Sequence, residues 1–165
     1  MKTLRVRLCP LAELGADSTL DFEVIDSERR VLERGSAVPG ALPRLPRTEL
    51  VIAAPDVLLL DVTPPRLSGA RLRAALPALA EPMLIGDVEH AFVVSGGTNA
   101  TGSATLAVLD RALFRRGHDL FARLGIEPAS ATPEPLTLRV GGGRWRLRLG
   151  AGYGCFRSGE RLGSA

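Results

Sequence analysis

The sequence predicts an α/β fold with a mixed sheet, on three observations. Short alternating or apolar runs recur through residues 3–62. A strongly amphipathic helical pattern follows Asp110, and glycine-joined strand patterns close the chain.

The elements follow in order. In Thr3–Cys9, Leu4, Val6 and Leu8 alternate with Thr3, Arg5 and Arg7, the pattern of a half-buried strand. Pro10 stops it. Asp21–Asp26 and Arg30–Glu33 are expected to form a hairpin turned at Asp26-Ser27-Glu28. Four prolines and glycines within Ser36–Arg47 (Pro39, Gly40, Pro43, Pro46) forbid a long helix there. Glu49–Ala53 and Val57–Val62 read as strands, and the consecutive Leu58, Leu59 and Leu60 suggest burial on both faces. Ser68 is placed to cap a helix whose apolar face is Leu72, Ala75, Leu76 and Leu79, with Pro77 expected to kink or restart it.

Asp87–Val94 reads as a strand, Ser95–Ser103 as a turn of small residues, and Ala104–Leu109 as the returning strand. Asp110 caps a helix with Leu113, Phe114, Gly117, Leu120, Phe121 and Leu124 on one face, and Gly125 ends it. Ile126–Ala131 is a short strand. Leu136–Val140, Arg144–Leu149 and Tyr153–Arg157 then form a meander, with Ser158–Ala165 frayed. In its middle strand Arg144, Arg146 and Arg148 alternate with Trp145, Leu147 and Leu149, which predicts a basic, wet face and an apolar one. This order suits an RNase H-like lobe over 1–133, with a sub-boundary near 95–103, and a meander over 134–165 opening a second lobe.

At 165 residues with 45% hydrophobic and 4% aromatic, the core must be aliphatic. The net charge of +3 is too small to imply nucleic acid, but it is unevenly spread. Residues 1–110 carry 11 basic and 14 acidic side chains; residues 111–165 carry 10 and 4. No Lys or Arg lies between Arg73 and Arg111, an interval holding Glu81, Asp87, Glu89 and Asp110. Cys9 and Cys155 make neither a metal motif nor a disulfide framework. No apolar run reaches the roughly 20 residues of a membrane helix, and no signal peptide is evident.

Catalysis finds little support. His90 and His118 lack partners at metal-binding spacing, and His90 reads as structural or interfacial. Gly96-Gly97-Thr98 and Gly141-Gly142-Gly143 fit hairpin turns better than phosphate loops. A metal-dependent nuclease would need carboxylates converging on strand ends, and Asp21, Asp26 and Asp61 are scattered. The Arg144, Arg146 and Arg148 stripe reads first as an exposed strand face whose charge blocks edge pairing, and second as a contact for phosphate groups of lipid or nucleic acid. It has no aromatic interleaved on its face for stacking bases, which argues against nucleic acid.

The stretch LVIAAPDVLLLDVTPPRLSGARLRAALPALAEPMLIGDVEHAFVV, with VLDRALFRRGHDLFARLGIEPASATPEPLTL after it, resembles the cytoplasmic domain of the type II secretion system protein L family. The shared blocks fall on Val62, Pro65, Leu76-Pro77, Glu81, Leu84 and Asp87 to His90. A later set falls on Asp110 to Ala112, Gly125, Ile126 and Pro128. Together they cover more than half of the chain.

The resemblance implies an actin-like fold that has lost nucleotide chemistry. An actin-like ATPase needs acidic-glycine turns to place Mg²⁺ and phosphates. Here those turns read Cys9-Pro10-Leu11 and Arg139-Val140-Gly141-Gly142-Gly143, without a carboxylate. The implied role is a scaffold without catalytic activity or cofactor, the cytoplasmic domain of a bacterial inner-membrane protein. It would recruit the secretion ATPase (protein E) and pair with protein M and with itself, a homodimer included, the full protein reaching the inner membrane through a helix absent here. Glu81, Asp87 and Glu89 are the expected partner surface, and Arg144, Arg146 and Arg148 the membrane-facing one. The alternative is a nucleotide-binding, actin-like pilus assembly protein of the PilM type.

Overall fold

The computed structural model describes residues 1–98, 102–139, 144–150, 152–158 and 161–164. Its contacts group the chain into two units, residues 1–56 with 115–165, and residues 57–114. These limits differ from the 1–133 and 134–165 expected above, and residues 95–103 fall inside the second unit.

The first unit is built on a five-stranded sheet in the order β3-β2-β1-β4-β8. The strands are β1 (Thr3–Arg7), β2 (Leu20–Ile25), β3 (Val31–Ala37), β4 (Thr48–Ile52) and β8 (Pro128–Pro133). β1, β2 and β3 are antiparallel neighbours, whereas β1, β4 and β8 run parallel, so the sheet is mixed. The alternation of β1 divides its faces as the sequence predicts: Leu4 and Val6 are wholly buried, and Arg5 and Arg7 lie on the other face. The hairpin turns at Asp26, whose Oδ1 accepts the N–H groups of Glu28 and Arg30, both at 2.9 Å. β3 extends to Ala37, further than the Glu33 expected, because it pairs with β2 as far as Leu20.

Helix α2 (Arg111–Arg123) starts where Asp110 Oδ1 accepts the Leu113 N–H at 2.8 Å. It ends at Gly125 with φ +68°, the Ile126 N–H returning to the Phe121 carbonyl at 3.0 Å. Both ends are as the sequence predicts. Within the first unit, Gly117 allows Leu11 and Leu14 to lie against the helix, where an added Cβ would meet their methyls at 3.3–3.4 Å. Phe121 is fully buried.

The sequence misreads the C-terminal part in three ways. Glu134–Thr137 is a one-turn helix, α3, where the meander's first strand was expected to begin. β9 (Trp145–Leu149) and β10 (Gly154–Ser158) form as expected. Residues expected to fray instead form β11 (Arg161–Ser164), paired antiparallel with β10. The third difference is the placement of Arg148 in β9, described below. The glycines of the second candidate turn, 141–143, and Val140 lie outside the described residues.

The second unit is an antiparallel sheet, β5-β7-β6 (Leu58–Val62, Ala104–Asp110, Ala91–Thr98), with helix α1 (Gly69–Ala80) on one face. Leu76, Ala80, Ala91, Leu106 and Val108 form its core, joined by Leu60, Leu72 and Leu79. Pro77 sits within α1 without ending it. Ser68 stands at the cap position but makes no side-chain capping bond. Leu58–Leu60 are not buried on both faces: β5 is an edge strand covered on one side, and Leu58 is 45% exposed. The strand expected from Asp87 begins only at Ala91, after a tight turn over Val88–His90. Part of the small-residue turn, residues 99–101, lies outside the described residues.

Candidate functional site

Glu81, Asp87 and Glu89 are all exposed and sit on two short turns of the second unit, Glu81–Met83 and Val88–His90. Asp87 and Glu89 are brought together locally, since Asp87 Oδ1 accepts the Glu89 N–H at 2.9 Å. That bond uses one lone pair of one oxygen and leaves most of the carboxylate to solvent. Between the acids the chain exposes apolar side chains that the sequence reading passed over. Ile85 is fully solvated at 108%, and Met83 is 44% exposed. Gly86 follows Ile85 with φ +133°, a conformation that an L side chain rarely adopts. The segment therefore exposes an isoleucine that exposed carboxylates flank along the chain. His90 is exposed in the same segment.

The arginine stripe is split. The apolar face of β9 lies open to solvent: Trp145, Leu147 and Leu149 are 72%, 64% and 76% exposed. Trp145 stacks on Phe156 of β10 at 5.4 Å between ring centroids. Arg148 turns inward, and its Nε lies 2.9 Å from Glu134 Oε1. Arg157, across the sheet, donates to the Leu136 and Leu138 carbonyls at 3.5 and 3.1 Å. The guanidiniums are thus held by a carboxylate and by carbonyls of α3 and the segment after it, and the apolar residues of β9 are turned outward. Arg144 and Arg146 remain exposed.

Glu134 is the group that sequence reasoning missed. It is 2% exposed, opens α3, and accepts from Arg7 Nη1 at 3.3 Å and from the Ala54 N–H at 3.3 Å. Burial, and then Glu134, push the nearby Tyr153 phenol well above its usual range; burial first and Glu134 second also raise the Cys155 thiol. The one available signal was a Glu between Pro133 and Pro135, and its partner Arg7 lies 127 residues away.

Beside this group the first unit has an open cavity of about 430 Å³, lined by Arg5, Arg7, Arg34 and Arg148 together with Asp21 and Glu23. Glu23 pairs with Arg34 at 3.2 Å and with Arg5 at 3.8 Å, and Asp21 accepts the Ser36 hydroxyl at 2.6 Å. At the first candidate turn, Asp56 from another segment accepts the Leu11 N–H at 2.8 Å, and burial raises its carboxyl above the usual range. Asp26 is used by its hairpin and Asp61 by the Thr105 hydroxyl at 2.9 Å. Among the described residues no three His, Cys, Asp or Glu side chains gather as a metal site. No described helix is long and apolar enough to cross a membrane.

No family model and no curated protein matches the chain. Solved structures do. One is the cytoplasmic domain of EpsL, an inner membrane component of the type II secretion system of Vibrio cholerae. It is 18% identical, with a TM-score of 0.75 over 96% of this chain and 68% of that one. Another is a PilM-PilN type IV pilus biogenesis complex, 14% identical, with a TM-score of 0.59 over 81% of this chain and 47% of that one. The mixed α/β fold expected from the sequence is the fold this chain has, and it is the fold it shares with these two structures.

Proposed function

We propose that the chain is a non-enzymatic scaffold of the type II secretion inner-membrane platform that recruits the cytoplasmic secretion ATPase, protein E. The observation that carries this reading is the segment from Glu81 to His90. It places exposed Met83 and Ile85 among Glu81, Asp87 and Glu89, inside an interval without Lys or Arg. An apolar anchor flanked along the chain by like charges suits a basic partner: burial of the anchor supplies affinity and the charges supply orientation and rate. The EpsL likeness supports the same assignment, since that protein is an inner membrane component of a type II secretion system.

On this reading the segment 134–165 opens a second lobe. Arg144 and Arg146 face the anionic inner leaflet, while Arg148 is committed to Glu134. Association with protein M and with a second copy would belong to the full-length protein.

The test is co-purification with the ATPase encoded beside this gene. Reversal of all three acids (E81K, D87K, E89K) should weaken capture at least tenfold, and Ile85→Ser should do the same at unchanged net charge. Undiminished capture by both variants would refute the assigned surface. The second reading, a PilM-type nucleotide-binding protein, is favoured only by the weaker PilM likeness. Heat on titration with Mg-ATP would select it.

A further inference from the structure

We propose that the cavity walled by Arg7, Arg34 and Arg148 binds a small divalent oxyanion, either free phosphate or the phosphate group of a monoester. The argument begins with a shared atom. Arg7 Nη1 and Arg148 Nε approach the same oxygen, Glu134 Oε1, at 3.3 and 2.9 Å. Two guanidiniums on one carboxylate leave one positive charge unanswered, and the Arg7 side chain is only 19% exposed. Solvent screening of that excess is therefore weaker than at an open surface.

The surroundings do not supply the missing charge. Glu23 is divided between Arg5 and Arg34, and Glu49 is divided among Arg5, Arg29 and Arg47, each at 3.4 Å. Six arginines thus face the four carboxylates Asp21, Glu23, Glu49 and Glu134 on this side of the sheet, among the described residues. Burial, and next to it the charge of Arg148, hold the Arg7 guanidinium below its ordinary value, as expected of a cation crowded by another.

The cavity can take the ligand. Its volume of about 430 Å³ exceeds what a tetrahedral oxyanion needs. Each guanidinium has five N–H donors in a planar fork, and the contacts to Glu134 occupy one nitrogen of each. The free edges of such forks match oxyanion geometry. Asp21 and Glu23 on the same wall disfavour large polyanions and limit the site to a compact charge.

This inference is independent of the docking role, and its test does not use the ATPase. Thermal unfolding would be followed against inorganic phosphate at fixed ionic strength, with chloride as the matched control and glycerol 3-phosphate as a second arm. Phosphate should raise the midpoint saturably where chloride does not. Arg148→Gln should raise the half-saturating concentration at least tenfold. Arg34→Gln, at a side chain 72% exposed, should weaken binding without endangering the fold. Protection by both ligands assigns the site to the phosphate group in general; protection by phosphate alone assigns it to the free ion. Equal effects of chloride and phosphate, or phosphate protection unchanged in both variants, would overturn the proposal.

Discussion

Arg148 Nε lies 2.9 Å from Glu134 Oε1, and this contact ties β9 to the start of α3. Glu134 also carries Arg7 and the Ala54 N–H, so β1, β9 and the turn that follows β4 meet on one carboxylate. The carboxylate is 2% exposed, whereas Arg7 and Arg148 are 19% and 39% exposed. The expensive desolvation falls on the acid, and its partners keep contact with water.

Replacement of Glu134 by Gln should therefore cost more than replacement of either arginine. The amide keeps the volume but leaves two guanidiniums without their counter-charge, at a cost of about 3 kcal/mol. Arg148→Gln leaves Arg7 in place and should cost about 1 kcal/mol. Urea unfolding of the two variants and the double mutant gives the coupling. A Glu134→Gln cost no larger than that of Arg148→Gln would rule out the hub.

Asp26 makes the β2–β3 hairpin sensitive to acid. The backbone N–H of Arg30, first among its hydrogen bonds, holds the carboxyl below its ordinary value of 3.8. A depressed folded value means that the unfolded chain takes up the proton first. The stabilisation is complete above the ordinary carboxylate range and is lost as pH falls through the folded value. Wild type should exceed Asp26→Asn in stability at neutral pH, and the gap should close in acid. A gap independent of pH from 7 down to about 2 would exclude this account.

Features legible in the sequence are those decided within one turn of chain. Asp110 and Gly125 bound α2 because a cap and a left-handed glycine act on neighbours three or four residues away. The Leu72, Leu76 and Leu79 face of α1 follows from helical spacing. The acidic segment was visible as a gap in basic residues, but the exposure of Ile85 within it was not. In the meander, alternation says which residues share a face, not which face is covered. Glu134 and the carbonyls of Leu136 and Leu138 decide that, and only folding brings them to Arg148 and Arg157. Pro133 and Pro135 gave a boundary, yet Leu136 and Thr137 complete a helical turn before any strand begins.

The two cysteines should differ sharply in reactivity. Cys155 is 1% exposed, and burial, with Glu134 next, raises its thiol, so the nucleophilic thiolate is suppressed. Cys9 is partly exposed. A disulfide reagent at pH 8 should therefore label one thiol per native chain, and the second only after denaturation. Cys9→Ser should abolish the native reaction. Two rapid equivalents in the native chain would contradict the burial of β10 against its neighbours.

Gly35 and Phe22 are register partners across β3 and β2, and the ring lies where a side chain at 35 would begin. A Cβ on Gly35 would meet Phe22 Cζ at 2.7 Å and Cε1 at 2.9 Å. Two effects of a Gly35→Ala change oppose each other. Removing a glycine from a strand normally stabilises by about 0.5–1 kcal/mol through backbone entropy. Forcing a ring that is 9% exposed out of its packed position costs about 1–3 kcal/mol. The steric effect is the larger, so Gly35→Ala should be destabilising in chemical unfolding. Adding Phe22→Leu, which removes the obstructing ring atoms, should make the pair less destabilised than the sum of its single variants. A stabilising Gly35→Ala, or strict additivity with Phe22→Leu, would show that the ring does not need this glycine.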